Sequence, residues 1–333
     1  MAVASGKSPS PVQVSGIFLS TYRDICYLAV QLNLFYMQIM MRRVLFLLIV
    51  WVGLSSLVLA DGFREQFRAA FKAGDLAGAE RVLTEWEKAT PKDPDLYVAR
   101  FNFLLNKAAR RTPVPAAAVV VAAGAPAPPP RPQAMMVSYD PATMAQAAAV
   151  LKQGIALAPE RLDMRMGLAK SYEMAGQPAP LLQTIRETLE ARKNGGKPWL
   201  WRDGVPLPGS ENAFVPAAIE PFASNYWKQP GDKGLENGRP IAELMEQYFP
   251  QNSLGYFNMG VYYAHLHKTQ ESYEKMQQAD ALDPNDISTL MNLTRMAIEL
   301  KQKDKAMAYQ ERLRKLPNGG SAADSFASAM QKL

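Results

Sequence analysis

From Asp61 onward, apolar residues recur three and four positions apart. Strict alternation is absent and β-branched runs are few, so the pattern predicts helices almost throughout. Three segments show it best: GDLAGAERVLTEWEKATPKDP (74–94), MAQAAAVLKQGIALAPE (144–160) and HKTQESYEKMQQADALDP (267–284). Each reads as one amphipathic helix that closes on a proline.

The segments are also related to one another. A small residue stands twelve positions before the proline in every case: Ala79 and Pro91, Ala147 and Pro159, Ser272 and Pro284, with Gly238 and Pro250 as a fourth pair. Pro250 precedes Pro284 by 34 residues, and Pro91 and Pro159 are twice that distance apart. A fixed period of this size marks a repeat architecture. In SLGYFNMGVYYAHLHKTQESYEKMQQADALDPND (253–286), Tyr256, Gly260, Tyr263 and Pro284 fall at positions 4, 8, 11 and 32. These residues resemble the tetratricopeptide repeat (TPR), a helix-turn-helix unit of 34 residues. The physics suits each position. Gly260 and Ser272 allow two antiparallel helices to approach to ~8 Å, Pro284 cannot extend its helix, and Asp286 can cap the next one. Run in this register, the repeats are 60–93, 94–160, 162–195, 219–252, 253–286 and 287–320, with 321–333 a C-terminal tail or capping helix. The resemblance implies an all-α fold, a TPR-like superhelical solenoid of antiparallel helix pairs.

Two stretches interrupt the period. Residues 111–140 are rich in Ala and Pro, a composition that neither packs nor holds a helix, and are expected to form a disordered loop within the repeats of 61–195. That loop is either a tolerated surface insertion or a partner-binding arm. The second interruption, 196–218, carries Trp199 and Trp201, with Asp203-Gly204 suited to a tight turn. A short hairpin or structured loop is expected. Its two indoles either plug the joint between repeat blocks or stack on a sugar or an apolar peptide. Repeats resume over 219–320.

The N-terminal region has a different character. MRRVLFLLIVWVGLSSLVLAD (41–61) has a basic start, an apolar middle and small residues ahead of Asp61, the layout of a secretory signal. Residues 41–60 are therefore expected to be a signal peptide, and 1–40 an extension upstream of the true start. Export to the periplasm or beyond follows. The alternative is an inner-membrane anchor through residues 44–60, an apolar stretch of about 17 residues at the lower limit for a span.

The TPR resemblance also implies where a partner would bind: the groove lined by the first helix of each pair. Transferred position by position, the contact residues are Arg64, Arg68, Lys72, Asn102, Met166, Lys170, Phe257, Val261, His265, Met291 and Arg295. The groove would be basic at its N-terminal end, where Arg64, Arg68 and Lys72 form one stripe, and rich in methionine and apolar residues toward the C-terminus. The carboxylate-clamp pattern of Lys and Asn known in this family is not met, because Arg64 and Arg68 hold the first pair of those positions.

Composition narrows the chemistry. The net charge of +6 has no clustered basic footprint, so nucleic acid is not expected. The only cysteine is Cys26, and the only histidines are His265 and His267. On a helix these two point apart, and no metal or cofactor is expected. Nucleophile elbows, phosphate loops and paired metal ligands are not found. Asp203, Glu211 and Glu220 near the insert are the remaining carboxylate candidates for glycoside chemistry. The reading that emerges is an exported, non-catalytic scaffold with a protein or peptide partner. The alternative is an envelope small-ligand receptor or glycan-active protein built on Trp199 and Trp201.

Overall fold

The computed structural model describes residues 37, 40–42, 60–113 and 135–333. Most of the signal-like stretch and the centre of the Pro/Ala segment, 114–134, lie outside the described residues. The chain divides into two units, Met1–Glu65 and Gln66–Leu333. In the first, residues 37, 40–42 and 60–65 are helical. Among the described residues, no helix is long and apolar enough to cross a membrane.

The second unit is a succession of helices. It opens with α1 (66–72) and continues with α2 (Leu76–Ala89), α3 (Pro94–Ala108), α4 (Pro141–Leu157), α5 (Leu162–Met174) and α6 (Pro178–Lys193). After the tryptophan segment come α7 (Glu211–Trp227), α8 (Asp232–Tyr248), α9 (Ser253–His265), α10 (Thr269–Leu282), α11 (Ile287–Glu299) and α12 (Lys303–Lys315). Two short helices, α13 (Gly320–Asp324) and α14 (Ala327–Met330), close the chain and pack on α12. From α2 to α6 and from α7 to α12 each helix packs on the next, and α7 and α8 lean on α5 and α6 across the insert.

The proline marks explain the boundaries. Helices α2, α4, α8 and α10 end at Ala89, Leu157, Tyr248 and Leu282, each two residues before its proline. The residue between has a φ of −131° to −139°, because a residue ahead of proline is pushed out of the helical region. Within those helices Ala79, Ala147 and Ser272 have no exposed surface and Gly238 is buried. The Ser272 hydroxyl donates to the Gly260 carbonyl at 2.6 Å, tying α10 to α9.

Four of the first helices end by a different device. Gly74, Gly176, His267 and Lys301 each stand two residues past the end of α1, α5, α9 and α11, with φ between 57° and 75°. At every one the next amide reaches back five residues, as Lys268 N to Tyr263 O at 3.0 Å and Gln177 N to Tyr172 O at 2.8 Å. This is the Schellman arrangement, which satisfies the last carbonyls of a helix. His267 thus fills a left-handed turn position that glycine fills in two other pairs.

Two expectations need correction. The loop expected over 111–140 is not irregular at its ends. Ala109–Pro113 (β1) pairs antiparallel with Met135–Tyr139 (β2), Arg111 opposite Val137 and Ala109 opposite Tyr139, so a two-stranded ribbon leads out from α3 and back to α4. And the stretch 196–218 is not all insert, because α7 begins at Glu211, where the Ser210 side chain caps its first turn.

The tryptophan segment between α6 and α7 makes a tight turn. Asp203 and Gly204 have φ of 58° and 70°, both central positions of a type I′ turn, and Trp201 N bonds to Val205 O at 2.7 Å. Leu200 bridges back to Arg161 and forward to Pro206. Trp199, 4% exposed, lies in the core cluster formed by α5, α6, α7 and α8.

Candidate functional site

Side chains at α1 positions four apart share one face, so Phe67 and Phe71 line up, as do Arg68 and Lys72. The two phenyl rings stack at 5.3 Å with 19° between their planes. On α3, Asn102 and Asn106 are likewise one turn apart. These helices, the C-terminal end of α5 and the base of the ribbon border an open cavity of about 660 Å³. Phe67, Phe71, Leu105 and Met174 give it apolar walls, while Arg68, Lys72 and Arg111 give it positive charge. Its remaining lining is Asn102, Asn106, Ala109 and Tyr139, so among the described residues the lining holds three cations and no carboxylate. The two asparagines offer donors and acceptors of the kind that pair with a peptide backbone.

The cavity brings together three of the residues expected in the groove, Arg68, Lys72 and Asn102. Arg64 belongs to the first unit, where it pairs with Asp61 at 3.4 Å. Met166 departs from expectation: it is 7% exposed and packs in the core with Leu162, Leu181 and Val215 rather than on the surface. The reason is the lean of α7 on α5. Lys170 is exposed and pairs with Glu173, which also accepts from Asn225 of α7 at 3.0 Å. Further along, Phe257, Val261 and Met291 are partly buried against the core of α10–α12. Arg295 is exposed and donates to Asn292 on its own helix. His265 is exposed at the end of α9.

The expected tryptophan pair does not share a single environment. Trp199 is buried, with the Arg165 guanidinium 5.3 Å from its ring centre, whereas Trp201 is half-buried with its ring edge-on to Phe214 at 4.8 Å. A smaller cavity of about 340 Å³ beside Trp199 is lined by Arg192, Glu211, Tyr248 and Phe249 among others. The Glu211 carboxylate there accepts from Arg192 Nε at 2.9 and 3.0 Å. Asp203 is likewise engaged by an arginine: Arg68 Nη2 donates to its two oxygens at 2.9 and 3.2 Å. Glu220 is held above the usual carboxylate range by burial, which Lys228 partly offsets. Among the described residues, no three His, Cys, Asp or Glu side chains cluster as a metal site would require.

Three features of the site went unseen in the sequence. Arg111 and Tyr139 reach the cavity through the ribbon, and Asp203 reaches Arg68 from 135 positions away. The short apolar run MMVSY ahead of Asp140 was the available signal for β2.

No family model matches the chain, nor does any curated protein. Among solved structures, it is similar to a thermophilic TPR protein of Thermus thermophilus, with 17% identity, 57% of this chain and 92% of that chain covered, and a TM-score of 0.34. It is also similar to YrrB, described as a TPR protein with an unusual peptide-binding site (10% identity, 74% and 97% covered, TM-score 0.39). A third is a tetratricopeptide repeat protein of Parabacteroides merdae (10% identity, 82% and 86% covered, TM-score 0.39). By its own geometry, with marker prolines 34 and 68 residues apart, a proline two residues past α2, α4, α8 and α10, and a left-handed residue two past α1, α5, α9 and α11, the chain is a TPR-type solenoid of helix pairs.

Proposed function

We propose that this chain is an exported, non-catalytic scaffold that holds a protein or peptide partner in the N-terminal part of its first-helix groove. The observation that carries the reading is the 660 Å³ cavity between α1, α3, α5 and the ribbon. It combines apolar walls, backbone-pairing asparagines and positive charge, the mixture a peptide segment needs. The sugar-stacking alternative requires an open indole face; the Trp199 ring is buried under Arg165, and the half-buried Trp201 ring already meets Phe214 edge-on and the Arg202 guanidinium at 5.8 Å. Export rests on the signal-like layout of residues 41–61.

Quantitative affinity capture from envelope extract tests the reading. The triple variant Lys72→Glu/Asn102→Ala/Arg111→Glu is expected to lose the partners that wild type retains, with an unchanged helical circular dichroism spectrum. The double variant Phe257→Ala/Arg295→Ala is expected to keep them. Equal retention by both variants would remove the groove from the proposal. Fractionation tests export separately: a mature chain beginning at Asp61 in the periplasmic fraction supports it, and an uncleaved cytosolic chain refutes it.

A further inference from the structure

The turn of the tryptophan segment does more than connect α6 to α7. It carries Asp203 to Arg68, a residue that lines the large cavity. The contact lies at the surface. Both side chains keep about half their surface in solvent, 53% for Arg68 and 42% for Asp203, and exposed ion pairs of this kind are weak. The cavity lining is cationic, so an acid arriving on Arg68 meets complementary charge there.

The ribbon extends the cavity outward. Residues opposite one another on an antiparallel ladder share a face, and every second residue returns to it. Ala109, Arg111 and Tyr139 line the cavity, so Val137, Pro113 and Met135 continue the same face. Val137 and Met135 are 45% and 48% exposed. From Tyr139 to Met135 this strip runs ~13 Å, the reach of about four extended residues.

We infer that this site takes an extended peptide segment in which a carboxylate is flanked by apolar side chains, and that Asp203 occupies the carboxylate's place on Arg68 until the segment arrives. The inference rests on the groove reading above and gives it a ligand class and a built-in competitor. A free phosphate or an anionic lipid headgroup would satisfy the cations but leave Phe67, Phe71, Leu105 and the ribbon strip uncovered. A peptide covers both.

An array of labelled pentapeptides tests this, each with Asp, Asn or no polar residue among Leu and Phe, alongside inorganic phosphate and vesicles containing anionic lipid. The proteins are the full chain, Asp203→Asn, Arg68→Gln and Lys72→Glu. Asn tolerates the left-handed φ of position 203, so the turn survives the change. Asp-containing peptides are expected to bind wild type, to bind Asp203→Asn about threefold to fivefold tighter, and to lose binding with Arg68→Gln. Unchanged affinity in Asp203→Asn would refute the stand-in role while leaving the groove intact. Indifference to the Asp, with binding still lost in Lys72→Glu, would refute the acidic class alone. Binding of phosphate or vesicles with no peptide bound would overturn both this inference and the groove reading.

Discussion

Arg161 Nη1 lies 2.7 Å from the Asp95 carboxylate, joining the start of α3 to the start of α5 inside the protein, with side chains 4% and 10% exposed. The same guanidinium donates from Nε and Nη2 to Asp163 at 2.8 Å. Flanking carboxylates hold the arginine charge more firmly than burial weakens it, so its pKa is raised. The backbone beside it, Leu162 N to Leu200 O at 2.9 Å, anchors the tryptophan segment. Replacing Arg161 with Met would leave two buried carboxylates without their counter-ion, at a cost of ~3–5 kcal/mol. Urea denaturation should show this as a lower midpoint at unchanged slope. A loss below about 1 kcal/mol would mean that the carboxylates find other partners or water.

Within the repeat 253–286, the less forgiving helix approach is not at the glycine that the repeat pattern picks out. A methyl group on Gly260 would meet the Met276 side chain at 2.8–3.1 Å, which is flexible although fully buried. A methyl on Gly255 would stand 2.6 Å from the Glu246 backbone nitrogen, which cannot swing aside. Gly255→Ala is therefore expected to lose ~1–3 kcal/mol by overpacking the α8–α9 crossing. Gly260→Ala should lose less, since Met276 is a side chain that yields in part and helix propensity returns up to about 1 kcal/mol. Thermal melts of the two variants check the order.

His267 offers a test of the turn device. It holds a φ of 57° where Gly74 and Gly176 stand in other pairs. Relief of that conformation should make His267→Gly more stable by about 0.5–1 kcal/mol, while His267→Val should be clearly less stable. Loss of stability in the glycine variant would point to a side-chain role for this histidine.

Glu220 sets a pH dependence. Its folded-state pKa is raised by burial, so the folded chain holds this proton more tightly than the unfolded chain does. Stability from this group is therefore present at low pH and declines as pH rises past the ordinary glutamate value of 4.5 toward the raised one. Glu220→Gln is expected to exceed wild type in stability at pH 7 and to match it at about pH 3–4. Chemical denaturation at both values measures the difference.

Much of the fold was legible because its markers are local. Proline disfavours a helical residue before it, so Pro91, Pro159, Pro250 and Pro284, each closing an amphipathic run, announce helix ends without tertiary knowledge, whereas Pro216, Pro221 and Pro240 lie inside α7 and α8. Arg68 and Lys72 could be placed on one wall because a helix fixes which residues share a face, and Asn102 on α3 through the repeat register. Met166 could not, since its burial depends on α7 folding back on α5 across an insert of irregular shape. The ribbon escaped because 21 residues of Ala/Pro-rich chain separate its strands. The Arg68–Asp203 contact is set by how the stacked pairs bring a turn near α1, which no periodicity records.

Amide hydrogen exchange of the full chain, free and saturated with the tightest-binding acidic peptide, tests the partner-binding face most directly. Bound peptide should slow exchange across α1, the C-terminal half of α3 and the ribbon, and should speed it at residues 203–205 as Asp203 gives up Arg68. Protection confined to α9–α12, with those segments unchanged, would contradict the assignment.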